Sequence, residues 1–348
     1  MKKLIDVKGL CVDYVTFDGR VRAVDDVSFH INEGEILGLA GESGCGKSTV
    51  AFSLMRLHRP PALISEGQIL FDGQDVLTME EEELRSYRWK GASMVFQSAM
   101  NCLNPLKTIE YQFWDIFDAH DIVKNREESI EKAKELLNIV DIPSERLFDY
   151  PHQFSGGMRQ RVVIAMALAL NPKLLVMDEP TTALDVVVQR EILQKIYELK
   201  ERFGFSILFI THDLSLMVEF CDRIGIMYSG KLIELAPSKE ILQKPNHPYT
   251  QGLGNSFPTL IGELQEMKGI PGTPLDLTKI PPGCRFAPRC SYAQETCRKV
   301  EPMTEKVAAN RWSACHFHLN ASLNSDCLNE SRVESETKMH SQLTEVEC

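Results

Sequence analysis

The period of the apolar positions changes several times along this chain, and each change marks an element. The run "EILGLAGESGCGKST" at 35–49 ends in glycines and continues into "VAFSLMRL", where apolar residues recur at helical spacing, so strand, loop and helix are predicted in that order. "KLLVMDEP" at 173–180 and "FSILFITHD" at 205–213 are short apolar runs bounded by charge and turn signals, the length of strands buried on both faces of a parallel sheet. Between them "VVVQREILQKIYELKERFG" at 186–204 has helical period, which completes a βαβ unit. Upstream, "NREESIEKAKELLNIV" at 125–140 predicts a helix with a charged face, and "GGMRQRVVIAMALAL" after Ser155 a helix ended by Asn171-Pro172. From about 245, "KPNHPYTQGLGNSFPTL" and "GIPGTPLDLTKIPPG" are dominated by proline and glycine and predict no regular elements. The polar, acidic stretch after 320 has too few apolar residues to offset its ordering entropy, so a disordered tail is expected over 320–348.

Composition narrows the class. With 348 residues and 43% hydrophobic content, the chain has enough for a sizeable core in two domains, or in one with additions. Its net charge of -11, from 49 acidic and 38 basic residues, argues against wrapping nucleic acid, which needs lysine and arginine against phosphate. Asp6 and Lys8 interrupt any apolar signal core in "MKKLIDVKGL", so export is not expected. The longest strongly apolar run, "VVIAMALAL" at 162–170, has nine residues, against the roughly 20 that span a bilayer. Ten cysteines in a chain without an export signal are expected as reduced thiols, which favours metal or cofactor ligation over disulfides for any cluster.

The chemistry starts at "GESGCGKS", which fits G-x-x-x-x-G-K-[ST] from Gly41 to Ser48. In such a loop the backbone N–H groups of Ser43, Gly44, Cys45, Gly46 and Thr49 are candidates to surround phosphate oxygens. Lys47 reaches the β and γ phosphates and Ser48 ligates magnesium. Asp178 and Glu179 stand at the end of a predicted buried strand, where a parallel sheet opens its ligand crevice. Asp178 is placed to hold magnesium and Glu179 to polarise the water that attacks the γ-phosphate. His212 closes another strand, where it can bond the γ-phosphate.

The phosphate loop, "QFSGGMRQR", "VMDEPTTALD" and "ITHD", in this order, resemble the ATP-binding subunits of ABC transporters over roughly residues 4–240. The resemblance implies an α/β P-loop ATPase over 1–244, with a helical signature subdomain at about 98–170, ATP and Mg2+ as ligands, and hydrolysis coupled to transport. It implies that Ser155, Gly156 and Gly157 face the ATP of a partner subunit, and that Asp185 sits at the dimer seam. Gln97 then senses magnesium and water and links to the membrane subunits, while Tyr14, with Phe17 as a near alternative, stacks on adenine. "FSGGM" departs from the commoner pattern in Phe154 and Met158. Further strings, "LNPLKTI", "HPYTQGL" and "PPGCRFAPRC", are similar to the peptide and nickel importer branch and extend the match to about 318. Implied partners are a second, related ATPase, two transmembrane permease subunits and an external substrate-binding protein, at the cytoplasmic face of the inner membrane. Peptide is the default cargo, with nickel chelate or oligosaccharide as alternatives. A soluble ABC-type ATPase is the competing class, disfavoured by a single phosphate loop and no sustained heptads.

Cys284, Cys290, Cys297 and Cys315 stand in the small irregular module expected over 245–319, with five, six and seventeen residues between them. Spacing alone leaves an iron-sulfur cluster, Zn2+ and no metal equally open, since the close pairs common in zinc sites are missing. The resemblance implies a [4Fe-4S] cluster on these four thiols. His316 and His318 are neighbours that could also ligate, and are expected instead as exposed polar residues.

Overall fold

The computed structural model describes residues 2–17, 19–97, 102–181, 184–256 and 269–319. The expected tail and the first residues of the expected helical subdomain lie outside the described residues. In chain order the elements are β1 (Lys3–Thr16), β2 (Gly19–Asn32), β3 (Ile36–Ala40), α1 (Lys47–Leu54), β4 (Ala62–Phe71), β5 (Gln74–Asp75), α2 (Glu81–Ser86) and β6 (Ala92–Val95). A helical layer follows, α3 (Ile109–Ala119), α4 (Arg126–Ile139) and α5 (Gly156–Ala167). Then come β7 (Leu174–Asp178), α6 (Val186–Phe203), β8 (Ser206–Ile210), α7 (Leu214–Phe220), β9 (Arg223–Tyr228) and β10 (Lys231–Pro237). The last part holds α8 (Ser238–Gln243), α9 (Pro248–Asn255), α10 (Glu295–Lys299), β11 (Glu305–Ala308) and β12 (Arg311–Ser313).

Two sheets result: an antiparallel one in the order β2-β1-β4-β5, and an eight-stranded one in the order β11-β12-β10-β9-β3-β8-β7-β6. The middle of the large sheet is parallel, β9 with β3, β3 with β8, β8 with β7 and β7 with β6. Its runs are apolar at every position because both faces are covered. Ile36, Leu175, Met177, Ile207 and Phe209 point into one core cluster, while Leu37, Leu39, Leu174, Val176, Leu208 and Ile210 point into the other. The helices start and stop where local chemistry says they should. Asp185 caps α6 by accepting from the Val187 and Val188 N–H groups, both at 3.1 Å, and Gly204 ends it at φ +72°. Asn125 caps α4 through the Glu128 N–H at 2.9 Å.

The segment after 245 departs from expectation, because α9 is a regular helix inside the proline-rich stretch. Proline there sits at the first helical position, where its missing N–H costs nothing, and the His247 ring accepts from the Tyr249 N–H at 3.0 Å. Burial of Tyr249 against Tyr228 and Phe286, with ring centroids 4.7 and 5.3 Å away, stabilises the turn that composition alone disfavours. The segment is also part of the main sheet, since β12 pairs with β10 through Glu234 opposite Ser313 and Leu235 opposite Trp312.

A buried carboxylate fastens this junction. Glu234 on β10 is 1% exposed and accepts from the Asn246 and His247 N–H groups at 2.8 and 3.0 Å, with Arg311 of β12 at 3.7 Å. Glu234→Ala would orphan two buried N–H groups and take from the Arg311 guanidinium one of its two carboxylate neighbours, leaving it Glu240 and the Lys244 carbonyl. We expect a loss of about 3 kcal/mol or more in denaturant unfolding; a loss below about 1 kcal/mol would show that the junction is held by apolar packing alone.

Candidate active site

Register places the site. Leu39 of β3 and Asp178 of β7 both stand level with Ile210 of β8, and Val95 of β6 stands level with Met177. Four parallel strands therefore end on one edge, and the residues that follow them form a single cluster.

After β3 the chain turns through Gly41 at φ +148° and Gly46 at φ +106°. A Cβ at Gly41 would stand 2.2 Å from the Met227 carbonyl oxygen, and one at Gly46 would stand 2.8 Å from that of Ala23, so neither space nor backbone admits another residue. Gly46 precedes α1 without a side-chain cap, which leaves the first-turn N–H groups facing out of the helix end. Lys47 is buried and donates to the Gly41 and Glu42 carbonyls at 2.8 and 3.0 Å, with the Cys45 sulfur at 3.6 Å. Ser43 and Gly44 lie on the outer turn of this loop, and Cys45 is buried beneath it.

Asp178 is 2% exposed, receives the Ser48 hydroxyl, and keeps Oδ1 without a hydrogen-bond partner. Burial pushes its pKa above the ordinary carboxylate value against the Ser48 bond. A buried oxygen beside a serine hydroxyl and a phosphate loop is the donor set of a hard divalent cation, so Mg2+ fits these residues. One residue on, Glu179 has φ +46°, a left-handed conformation that a side chain disfavours, and its N–H donates to the Ile210 carbonyl at 2.8 Å. That turn aims the carboxylate between two neighbours. The Gln97 amide donates to Oε2 at 3.0 Å, and Nδ1 of His212 lies 3.6 Å from Oε1. Glu179 and His212, read from two strand ends, and Gln97, implied by the resemblance, thus meet.

The remaining sequence candidates stand apart from this cluster. Ser155 caps α5 by accepting from the Met158 N–H at 3.3 Å, so Gly156 and Gly157 form an exposed-side helix start. A Cβ on Gly157 would meet Val188 at 2.8 Å, which ties this helix start to the one that Asp185 caps. Beside Asp185, Val186 and Val187 are 69% and 67% exposed, an apolar pair left uncovered among the described residues. The ribbon of β1 and β2 meets the phosphate loop at Ala23 and Val24; Tyr14, paired with Val21, is half-buried further along it, and Phe17 is fully exposed beyond the strand end.

Cys284, Cys290, Cys297 and Cys315 share the wall of one cavity of about 320 Å3. All are free thiols; burial and the other three sulfurs push Cys315 up to about 11. The four cysteines share this lining, yet among the described residues no group of three or more His, Cys, Asp or Glu is placed to hold a metal ion. The histidines are less exposed than expected: His316 lines the cavity and donates to the Val300 carbonyl at 2.9 Å, while His318 is 13% exposed beside Glu305.

Sequence reasoning missed three residues. Glu42 in the loop pairs with Arg289 next to Cys290, and Tyr249 reaches the same glutamate from α9. The available signal was an arginine directly before a cysteine in a compact segment, where burial obliges it to find an acid.

Fold and site together define a P-loop ATPase with a second, sheet-linked extension. The chain matches the family model for ABC transporters over residues 24–182, and that for the C-terminal region of oligopeptide/dipeptide transporters over 233–297. It is 45% identical to the oligopeptide transport ATP-binding protein OppD of Bacillus subtilis, over 88% of this chain and 86% of that one. It is 40% identical to the dipeptide transport ATP-binding protein DppD of Caldanaerobacter subterraneus, over 91% and 98%. Among solved structures it resembles the ATP-binding cassette MJ0796, a dimer in a post-hydrolysis state bound to ADP and Pi, with TM-score 0.60 and 29% identity over 68% of this chain and 99% of that one. The chain belongs to the ATP-binding subunits of ABC transporters.

The left-handed Glu179 stores strain that a glycine would not. Glu179→Gly is expected to be about 1 kcal/mol more stable than Glu179→Ala in denaturant unfolding. Equal stability of the two would mean that the turn at this position is unstrained.

Proposed function

We propose that this chain is the energy-coupling ATPase of an importer for di- and oligopeptides, and that it works at the cytoplasmic face of the inner membrane. The observation that carries the reading is the meeting of Gln97, Glu179 and His212 beside the Ser48–Asp178 pair, at the strand edge that also holds the phosphate loop. The names of its relatives supply the cargo class, peptides, and imply permease and substrate-binding partners. Among the described residues no helix is long and apolar enough to cross a membrane.

In this reading residues 1–244 bind ATP and 245–319 form the importer extension. The loop N–H groups and the α1 N-terminus receive the phosphates, and Lys47 exchanges its two carbonyl partners for phosphate oxygens. Ser48 and Asp178 would hold Mg2+, whose charge would offset that of the phosphates when bound, and Gln97 would stand beside it as its sensor. Glu179 accepts a proton from the attacking water, held in place by the Gln97 amide, and His212 stabilises the γ-phosphate. Tyr14 contacts the base. Ser155, Gly156, Gly157 and Asp185 face the ATP of a second, related ATPase, and that subunit would also cover Val186 and Val187.

The four-cysteine cavity is read as the site of a [4Fe-4S] cluster. Four thiolates are the number such a cluster takes, and all four line one cavity. Backbone N–H groups of Phe286 and Ala287 face the Cys284 sulfur, that of Tyr292 faces Cys290 and that of Phe317 faces Cys315, the kind of donor that steadies charge on cluster sulfurs. Bound there, the cluster would organise a segment with little apolar core of its own.

Glu179→Gln is expected to keep ATP binding, lose hydrolysis by about 100-fold or more, and abolish uptake of labelled di- and oligopeptides in cells that express it at native levels. Unchanged uptake with a hydrolytically dead variant would overturn the peptide reading. Chain purified without oxygen should carry about four iron and four sulfide per molecule, both lost in Cys297→Ser. Zinc in place of iron, or no metal, would overturn the cluster.

A further inference from the structure

The residue before Cys290 turns away from the thiol cavity and into the nucleotide loop. Arg289 lays its guanidinium against Glu42, Nη1 to Oε2 at 2.7 Å and Nη2 to Oε1 at 2.9 Å, while its Nε donates to the Pro271 carbonyl at 2.8 Å. Its side chain is 6% exposed. From α9, the Tyr249 hydroxyl accepts the Glu42 N–H at 3.0 Å, and the ring behind it is wholly buried. The Glu42 carbonyl, in turn, is one of the two that hold Lys47. Glu42 is therefore gripped at its N–H and its carboxylate by the extension, and at its carbonyl by the lysine that meets the phosphates.

We propose that Arg289 and Tyr249 are positioning residues for ATP, so that the nucleotide site is complete only when the cysteine-bearing extension is docked on the phosphate loop. Two physical effects act together. A planar, bidentate guanidinium fixes the direction of the carboxylate it holds, and with it the peptide between Gly41 and Ser43. It also cancels a negative charge that would otherwise sit in the same loop as the polyanionic ligand, where like charges repel over several ångströms. Tyr249 adds a neutral bond to the same residue, and Tyr228 backs both, at 4.7 Å from the Tyr249 ring and 3.4 Å from Arg289 Nη1. The proposal rests on the nucleotide reading above and adds what the extension does for it.

The test is ATP affinity in the full chain, measured with hydrolysis blocked by omitting Mg2+ and, separately, as KM and kcat with Mg2+ present. Arg289→Met is expected to raise Kd and KM about tenfold (about 1.4 kcal/mol) and leave kcat within about twofold. Glu42→Gln combined with Arg289→Met should recover most of that affinity, since the uncompensated charge is then gone; Arg289→Lys should recover part of it. A Kd changed less than about twofold in Arg289→Met, or a double variant as weak as the single, would overturn the proposal. Should Arg289→Met fail to fold, Tyr249→Phe decides, because it deletes only the hydroxyl: about threefold weaker ATP binding is expected, and unchanged binding overturns the proposal. A native chain that binds no ATP would instead overturn the nucleotide reading itself.

Discussion

Everything at the active site depends on the register of four parallel strands. Because β3, β8, β7 and β6 end level, the loops that leave them open onto one edge, and residues far apart in sequence come within hydrogen-bond reach. A parallel sheet obtains that alignment from hydrogen bonds along its whole length, while alternate side chains lock it from both faces: Leu175 and Met177 go to one core cluster, Leu174 and Val176 to the other. A slip of one residue would exchange these sets and move Asp178 out of reach of Ser48. The core thus fixes catalytic geometry as well as stability.

The extension is joined by a different kind of force. It contributes few buried aliphatic residues, and its attachment runs through charged groups in dry places: Glu234 with Arg311, Glu42 with Arg289, and Asp25 with Arg285. Burying charge costs more than burying carbon, and such pairs add little net stability unless their remaining donors and acceptors are met. What they add is a single mode of docking, because a bidentate pair tolerates less misplacement than an apolar contact. A segment rich in proline and glycine, with several backbone conformations open to it, needs that kind of constraint. The two arginines flank the cysteine segment, Arg285 just after Cys284 and Arg289 just before Cys290, so the same short loop faces the thiol cavity with its sulfurs and the cassette with its guanidinium groups.

Much of this was legible in the sequence, for reasons that differ by element. The strands "LLVMD" and "SILFI" and the helix between them announce themselves by period, because burial on two faces or on one leaves a distinct pattern. The phosphate loop was legible because positive φ and close backbone approach admit glycine alone at Gly41 and Gly46. Helix α9 was not, because its stability comes from Tyr228 and Phe286, which no local pattern reports. The contacts of Glu42 were hidden for the same reason: its two partners lie 207 and 247 residues away, and pairing at that distance leaves no periodic trace. Glu179 and His212 could be expected only as strand ends, and Gln97 only from the resemblance; that their side chains meet is set by the left-handed turn at Glu179.

The distribution of unsatisfied groups indicates where ATP can do mechanical work. Inside the cleft Lys47 is bonded to two loop carbonyls, so the ammonium is already desolvated and paired before any phosphate arrives. Exchanging those carbonyls for phosphate oxygens replaces neutral partners with charged ones, a gain made without first stripping water from the lysine. The surface around Ser155 and Asp185 is the opposite case. Each side chain spends its acceptor on its own helix start, while Val186 and Val187 remain in water beside them. Covering that apolar pair is favourable in any closed arrangement, but holding two subunits together also costs translational and rotational freedom. On the proposed reading the phosphate charge bridging the two subunits supplies the difference, so closure follows nucleotide occupancy and reverses when the γ-phosphate leaves. On that reading a larger apolar seam would close without ATP and stay closed after hydrolysis, whereas a single exposed valine pair keeps the balance within reach of one chemical step.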